Sequence, residues 1–240
     1  MSTSRRRFIE RIAAAGAFAL SSRSLAAFAQ RHPLAPLSDA LALGARLKRG
    51  EIAQLDWQDS IASVLQQVTP EELAEAVELD RLRLRARHVE RGASMLRIPA
   101  LESLEHAEGA AMRVFFFRAG RSDPPHCHFN SVTAHLVLSG RFRVRHYERV
   151  REEPQGFVLQ PTRDRRLSPG DVTSISELRE NAHWHEAMTD GVLLDVEQGR
   201  LDPTIPIRRR QMIDPTAAPS ADGLIVAPRL TTQAALQRFG

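Results

Sequence analysis

The stretch that decides the fold is GRSDPPHCHFNSVTAHLVLSG, residues 120–140. Two histidines in it, His126 and His128, are separated by one residue. Side chains alternate between the two faces of a strand, so these histidines share a face and their Cα atoms lie about 6.6 Å apart. Two imidazoles at this spacing can bind one metal ion through bonds of about 2.1 Å. The pattern predicts two metal ligands, with a pair of surface histidines as the alternative.

The sequence around this stretch has the pattern that is typical of a β protein. Short runs rich in β-branched and aromatic residues alternate with turn signals such as Ser139-Gly140 and Pro169-Gly170. Many short strands at this spacing predict a sandwich or closed barrel. We predict strands over residues 95–98, 112–118, 131–138, 142–147, 156–160, 172–176, 182–187 and 192–197.

Helical patterns precede the β-rich part. We predict helices over residues 38–48 and 57–67, and a third that begins at Pro70. Thr69 is the predicted N-cap of this third helix, and Glu72 completes a capping box. Residues 30–37 are predicted to be a linker, and residues 201–240 a proline-rich tail with a short helix over 232–238.

The first 29 residues have the features of an export signal. A basic segment at residues 4–10, SRRRFIE, resembles the twin-arginine motif, and an Ala-rich apolar run and an Ala-Phe-Ala cleavage site follow it. The apolar run is shorter than the roughly 20 residues that a stable membrane anchor needs. We therefore expect recognition by the twin-arginine export machinery, cleavage before Gln30, no stable membrane span afterwards, and a periplasmic or secreted protein.

The charge balance depends on this signal. Five of the 33 basic residues but only one of the 29 acidic residues lie in residues 1–29, so the remainder carries 28 of each. Net neutrality gives no reason to expect nucleic acid as a partner. One cysteine, Cys127, cannot form an intramolecular disulfide. The length after cleavage suits one domain with additions.

Residues 120–140 resemble the first motif of the cupin family, G-x5-H-x-H-x3,4-E-x6-G. Gly120, His126, His128 and Gly140 fall on its glycine and histidine positions. The resemblance extends over roughly residues 93–200 and implies a mainly β fold, a jelly-roll β-barrel after an N-terminal helical region. The expected organisation is a signal at 1–29, helices at 30–92, the barrel at 93–200 and a tail at 201–240. Cupins often pair through their sheets, so the resemblance also implies a homodimer.

The motif departs from the cupin pattern at one ligand. Thr133 stands where cupins usually carry a glutamate, and a hydroxyl is a poorer ligand than a carboxylate. This favours a three-histidine site. Residues 181–187, NAHWHEA, resemble the third-ligand strand of the amine- and peptide-type thiol dioxygenases, in which His183 takes the ligand place. His185 shares a strand face with His183 and is the alternative third ligand.

Three further residues are candidates for roles near the metal. His135 shares a face with Thr133, which predicts an acid–base residue, a fourth ligand or a hydrogen-bonded core histidine. His146 and Tyr147 alternate on the next strand, so one of them faces inward, and Tyr147 is a candidate catalytic phenol. Cys127 points away from its histidine neighbours and is expected to pack outside the cavity.

The predicted function is that of a metal-dependent oxidoreductase. The cofactor is a divalent transition metal, iron(II) in preference to manganese(II) or zinc(II), because export after folding would allow metal selection where zinc is scarce. Iron on one face of three histidines would serve a dioxygenase-like reaction on a small-molecule substrate, a thiol by resemblance alone. The alternative is a non-catalytic periplasmic ligand-binding or sensor cupin.

Overall fold

The computed structural model describes residues 33–86, 89–102, 110–205 and 210–240. The predicted export signal lies outside the described residues. None of the described helices combines the length and the apolar character that crossing a membrane requires.

Among the described residues, four α-helices precede the sheets and a fifth follows the last strand. They are α1 Ala35–Lys48, α2 Gln54–Leu65, α3 Pro70–Ala76, α4 Leu79–Arg85 and α5 Thr232–Phe239. The first begins inside the predicted linker, with a proline in its first turn. The third begins at Pro70 as predicted, but Thr69 makes no side-chain capping hydrogen bond, so the predicted capping box is wrong. Glu78, with φ of 51°, separates α3 from α4.

Eleven strands are described. They are β1 Ser94–Arg97, β2 Ala111–Phe117, β3 Ser122–Cys127, β4 Ser131–Ser139, β5 Phe142–Glu153, β6 Gly156–Leu167, β7 Val172–Ile175, β8 Ala182–Ala187, β9 Gly191–Gly199, β10 Gln211–Ile213 and β11 Ile225–Leu230. The strands that were predicted are all present. The hairpin of β5 and β6 is longer than predicted.

The strands form two antiparallel sheets. An open sheet has the order β1-β2-β9-β4-β7, and a closed sheet has the order β10-β11-β6-β5-β8-β3, in which β10 pairs with β3 to complete the circle. The chain alternates between the two sheets at nearly every step from β2 to β9, which is the strand order of a jelly roll, an architecture that cupins share with capsid and lectin domains. The predicted fold class, a mainly β jelly roll with N-terminal helices, is confirmed.

The two sheets create three separate interiors. The helices cover the outer face of the open sheet with an apolar core that includes Trp57 and Leu136. Between the sheets lie six histidines and a smaller apolar group around Phe142. The closed sheet encloses what we call the apolar cluster: Cys127, Tyr147, Phe157, Leu159, Ala182, Ile213, Ile225 and Ala227, which together come from all six of its strands.

The C-terminal region corrects the predicted boundary at residue 200. Residues 211–213 and 225–230, predicted to belong to a tail, are strands β10 and β11 of the closed sheet. Ile213 and Ile225 supply part of the apolar cluster. β10 has only three residues, Pro215 and Pro219 follow it, and β11 contains Pro228, which is why the sequence pattern did not indicate these strands.

Candidate metal centre

Strand register brings distant histidines into one row. His126 of β3 lies opposite His183 of β8, and His183 lies opposite His146 of β5. Residues directly opposite each other in antiparallel strands project from the same face. We call this side of the closed sheet, which faces the open sheet, the histidine face.

The side chains of the next row along the same strands project from the opposite face of the closed sheet. Cys127 pairs with Ala182, and Ala182 pairs with Tyr147, and all three belong to the apolar cluster. Cys127 therefore packs outside the cavity, as predicted. Tyr147 does so as well, and this corrects its prediction as a catalytic phenol: His146, and not Tyr147, faces the histidines.

Three imidazole nitrogens converge at the centre of the histidine face. The Nε2 atoms of His126, His128 and His183 are separated by 3.0 Å (126 to 128), 3.3 Å (128 to 183) and 2.9 Å (183 to 126). Ligands at about 2.1 Å from one ion would be about 3.0 Å apart at right angles and about 3.4 Å apart in a tetrahedron. The triangle thus has the dimensions that one divalent ion requires.

Hydrogen bonding alone does not account for this triangle. The Nδ1 of His126 lies 2.7 Å from the Pro124 carbonyl oxygen, an acceptor, so Nδ1 carries the proton and Nε2 offers a lone pair. At most two of the three Nε2 contacts can then contain a proton. Since a metal ion would satisfy all three lone pairs at once, the donor set fits a metal better than it fits a hydrogen-bonded group.

The electrostatics favour neutral imidazoles. Burial and the neighbouring His128 hold the pKa of His126 well below its usual value. Burial and the surrounding histidines do the same to the pKa of His183. Burial also lowers the pKa of His128. Neutral imidazole is the form that binds metals, so the site is prepared for a cation near neutral pH.

The structure separates the two predicted third ligands. His183 joins His126 and His128, whereas His185 belongs to a second group with His135 and His183. Within each group, ligand atoms of the three residues lie within 4.8 Å of one another. His185 is 1% exposed, lies opposite Val144 of β5, and unlike His183 is not part of the lining of the adjoining cavity.

His135 projects from the open sheet toward these rings. Its Nε2 lies 3.3 Å from Asp195 Oδ1, and the Thr133 hydroxyl donates to the same oxygen at 2.7 Å. Thr133, at the usual glutamate position, therefore anchors a carboxylate from β9. The sequence analysis missed Asp195, although an acidic residue within the apolar run VLLDV is a signal that could have indicated it.

Asp195 is held in a buried charge network. Arg113 donates to Asp195 at 3.2 Å and to Glu197 at 2.8 Å. Burial and repulsion from Glu197 nevertheless raise the pKa of Asp195 to about 7, although Arg113 opposes this shift. A carboxyl with such a pKa is typical of functional sites.

A cavity of about 1040 Å³ leads to the three Nε2 atoms. Its lining includes His126, His128 and His183, together with Asp195, His135 and Arg113. This volume is at the upper end of that of small-molecule pockets. His146 is not part of the lining; its Nδ1 lies 3.0 Å from Glu180, which also accepts from Arg163 at 2.6 Å.

The chain resembles solved structures at low sequence identity. No family model matches the chain, and no curated protein does. Similar solved structures include KdgF from Halomonas sp., with 22% identity and a TM-score of 0.35 over 47% of this chain and 84% of that one. An RmlC-like cupin from Shewanella frigidimarina has 16% identity and a TM-score of 0.33 over 47% and 80%. A recombinant oxalate oxidase in complex with glycolate has 18% identity and a TM-score of 0.35 over 51% and 59%.

Proposed function

We propose that this chain is an exported cupin-type oxidoreductase that depends on one divalent transition metal bound by His126, His128 and His183. The observation that supports the proposal is the triangle of Nε2 atoms, with sides of 2.9 to 3.3 Å, at the bottom of the cavity. A structural role alone would not require a cavity that leads to the ligands.

The donor set supports the choice of metal. Imidazole suits iron, zinc, copper and nickel, and three protein nitrogens leave positions for exogenous ligands. Iron(II) is the proposed ion, and manganese(II) and zinc(II) are the alternatives. A bound iron(II) would supply Lewis acidity and one-electron chemistry with dioxygen, the chemistry of a dioxygenase-like reaction.

The protein's own residues would bind and orient the metal and the substrate, and would exclude water from the site. The Pro124 carbonyl fixes the His126 ring so that Nε2 faces the cavity. Arg113 holds Asp195 and Glu197 in the cavity wall. His135, the proposed acid–base residue, lines the cavity with its Nε2 3.3 Å from Asp195 Oδ1, so a proton could pass between these two groups. The proposed substrate is a small molecule, and a thiol is the first class to test.

Export rests on residues 1–29 alone. We expect replacement of the arginine pair, R5K/R6K, to retain the protein in the cytoplasm, because the twin-arginine motif requires both arginines. Fractionation of the native host would measure this. Efficient export of the variant would remove the support for the twin-arginine route without affecting the metal site.

The decisive experiment combines metal content with oxygen uptake. The protein purified from its native host is compared with H126A/H128A, and C127A is the matched control because Cys127 lies between the two ligands and faces the apolar cluster. We expect iron at this site in the wild type and in C127A, one equivalent less in the double variant, and thiol-dependent oxygen uptake only in the wild type and in C127A. Metal binding without oxygen uptake on any small thiol would favour the ligand-binding or sensor role. An iron content of H126A/H128A equal to that of the wild type would contradict the proposal.

A further inference from the structure

A second group of histidines lies against the first. The ring centroids of His135, His183 and His185 are 4.4 Å (135 to 185), 4.7 Å (183 to 185) and 5.0 Å (135 to 183) apart. The corresponding distances within the first group are 4.4 Å, 4.8 Å and 5.1 Å. The rings of the two groups are thus similarly spaced, ligand atoms of the second group lie within 4.8 Å of one another, and His183 belongs to both.

The second group contains buried nitrogens that have no partner. Among the described residues, His135 Nδ1, His183 Nδ1 and His185 Nε2 are buried and make no hydrogen bond. The three side chains are each more than nine-tenths buried. Buried polar atoms without partners are rare because their desolvation is not compensated. Three of them on adjacent rings indicate an occupant that the protein does not itself supply.

The polar contacts that are present leave these nitrogens available. His135 Nε2 lies 3.3 Å from Asp195 Oδ1, and the other ring nitrogen, Nδ1, has no partner. A carboxylate that holds one nitrogen of an imidazole, while the other nitrogen binds a metal, is the usual arrangement behind metal ligands. His183 uses Nε2 in the first group, and its Nδ1 is unpartnered.

We propose that His135, His183 and His185 form a second site for a divalent transition metal. This site would bind through His135 Nδ1, His185 Nε2 and His183 Nδ1, and it rests on the proposed function because His183 also serves the first ion. Binding through both nitrogens requires His183 to lose its remaining ring proton. Loading of the second ion therefore releases one proton more than loading of the first.

The test is a cobalt(II) titration of the metal-free full chain. Bound cobalt is counted by mass spectrometry after gel filtration, and visible absorption reports its coordination. We expect two equivalents in the wild type, one in H135L/H185L and one in H126A/H128A. The matched control is H146Q, because His146 lies outside both groups; it should keep two equivalents. Proton release, followed with a pH indicator, should accompany the second equivalent.

The outcomes separate this proposal from the proposed function. One equivalent in the wild type, unchanged in H135L/H185L, would overturn the second site and leave the first. One equivalent in all three proteins would mean that a single ion can occupy either group, which would also overturn it. Two equivalents in the wild type but no loss in H126A/H128A would instead overturn the first site. Far-ultraviolet circular dichroism shows whether each variant keeps the fold. H185Q, a polar replacement, is a second variant of the second site in case H135L/H185L does not fold.

Discussion

The two faces of strands β3, β8 and β5 carry opposite kinds of interior. On the histidine face, His126, His183 and His146 form one row. One residue along, Cys127, Ala182 and Tyr147 form the row that enters the apolar cluster. Because the side-chain period of a strand is two, neighbours in the sequence belong to different environments. One set of strands can therefore hold a reactive centre on one side and a stabilising core on the other.

The two faces are expected to contribute differently to the stability of the fold. Apolar burial within the closed sheet stabilises the fold by roughly 25 cal/mol per Å² of apolar surface. The histidine face buries polar nitrogens, and each one that lacks a partner is destabilising by about 1 to 3 kcal/mol. We infer that the closed sheet and the helices stabilise the fold, and that the histidine face needs a ligand to contribute.

The largest effect should come from the first metal site. In H126A/H128A, bound metal should fall from about one ion per chain to none at that site. A ligand present at a thousand times its dissociation constant stabilises a protein by about 4 kcal/mol, so the variant should lose that stabilisation. Thermal unfolding with and without added metal measures it. Equal stabilisation of wild type and variant by metal would show that the ion binds elsewhere.

The apolar cluster should behave in the opposite way. Leu159 of β6 is fully buried there, and its replacement by alanine should lower the free energy of unfolding by about 3 kcal/mol. The number of ions bound per folded chain should not change, because the cluster lies on the other face. Urea unfolding and metal analysis of L159A test the two statements separately. A parallel loss of metal would mean that the two faces are not independent.

The sequence predicted this division in part. The motif residues lie close together in the chain, so their spacing was enough to predict the fold class and two of the ligands. They are Gly120, His126, His128 and Gly140. The same local rule placed Cys127 on the other face. The rule could not choose between His146 and Tyr147, because alternation alone does not say which face is inside.

Long-range register decided what the sequence left open. His183 lies opposite His126 because the pairing of β3 with β8 shifts by one residue at an irregularity between Asp123 and His126. Asp195 reaches the site because β9 lies beside β4, where His135 pairs with it. Such pairings depend on the order of the strands in the sheet, and no spacing within the chain encodes that order.

Acid stability should distinguish the histidine face as well. Burial alone would raise the pKa of Glu180, but hydrogen bonds from His146 and Arg163 outweigh burial and lower it to about 2. A carboxylate whose pKa falls on folding stabilises the native state above its unfolded value of 4.5, and this stabilisation is lost as the pH falls toward 2. Metal-free wild type should therefore lose about 2 kcal/mol more than E180Q between pH 5 and pH 2.

We expect the loss of stability in acid to come from the surroundings of Glu180 and not from the apolar cluster. Among the described residues, the apolar cluster contains no carboxylate and no imidazole, so L159A should follow the pH profile of the wild type at a lower level. Chemical unfolding at a series of pH values gives the three curves. Parallel curves for wild type and E180Q would show that the ion pairs of Glu180 with His146 and Arg163 do not stabilise the fold.

The smallest effect concerns the helix that covers the closed sheet. α5 contacts β3, β10 and β11, and the Thr231 hydroxyl accepts a hydrogen bond from the Ala234 amide at 3.1 Å. Loss of such a cap costs about 1 kcal/mol, which is the expected destabilisation of T231A. Thr69 makes no capping hydrogen bond, so T69A is the matched control and should change stability by less than about 0.5 kcal/mol. A larger effect of T69A than of T231A in urea unfolding would show that Thr69 caps its helix, as the sequence predicted. It would also show that the stability of the fold depends more on the cap of α3 than on the cap of α5.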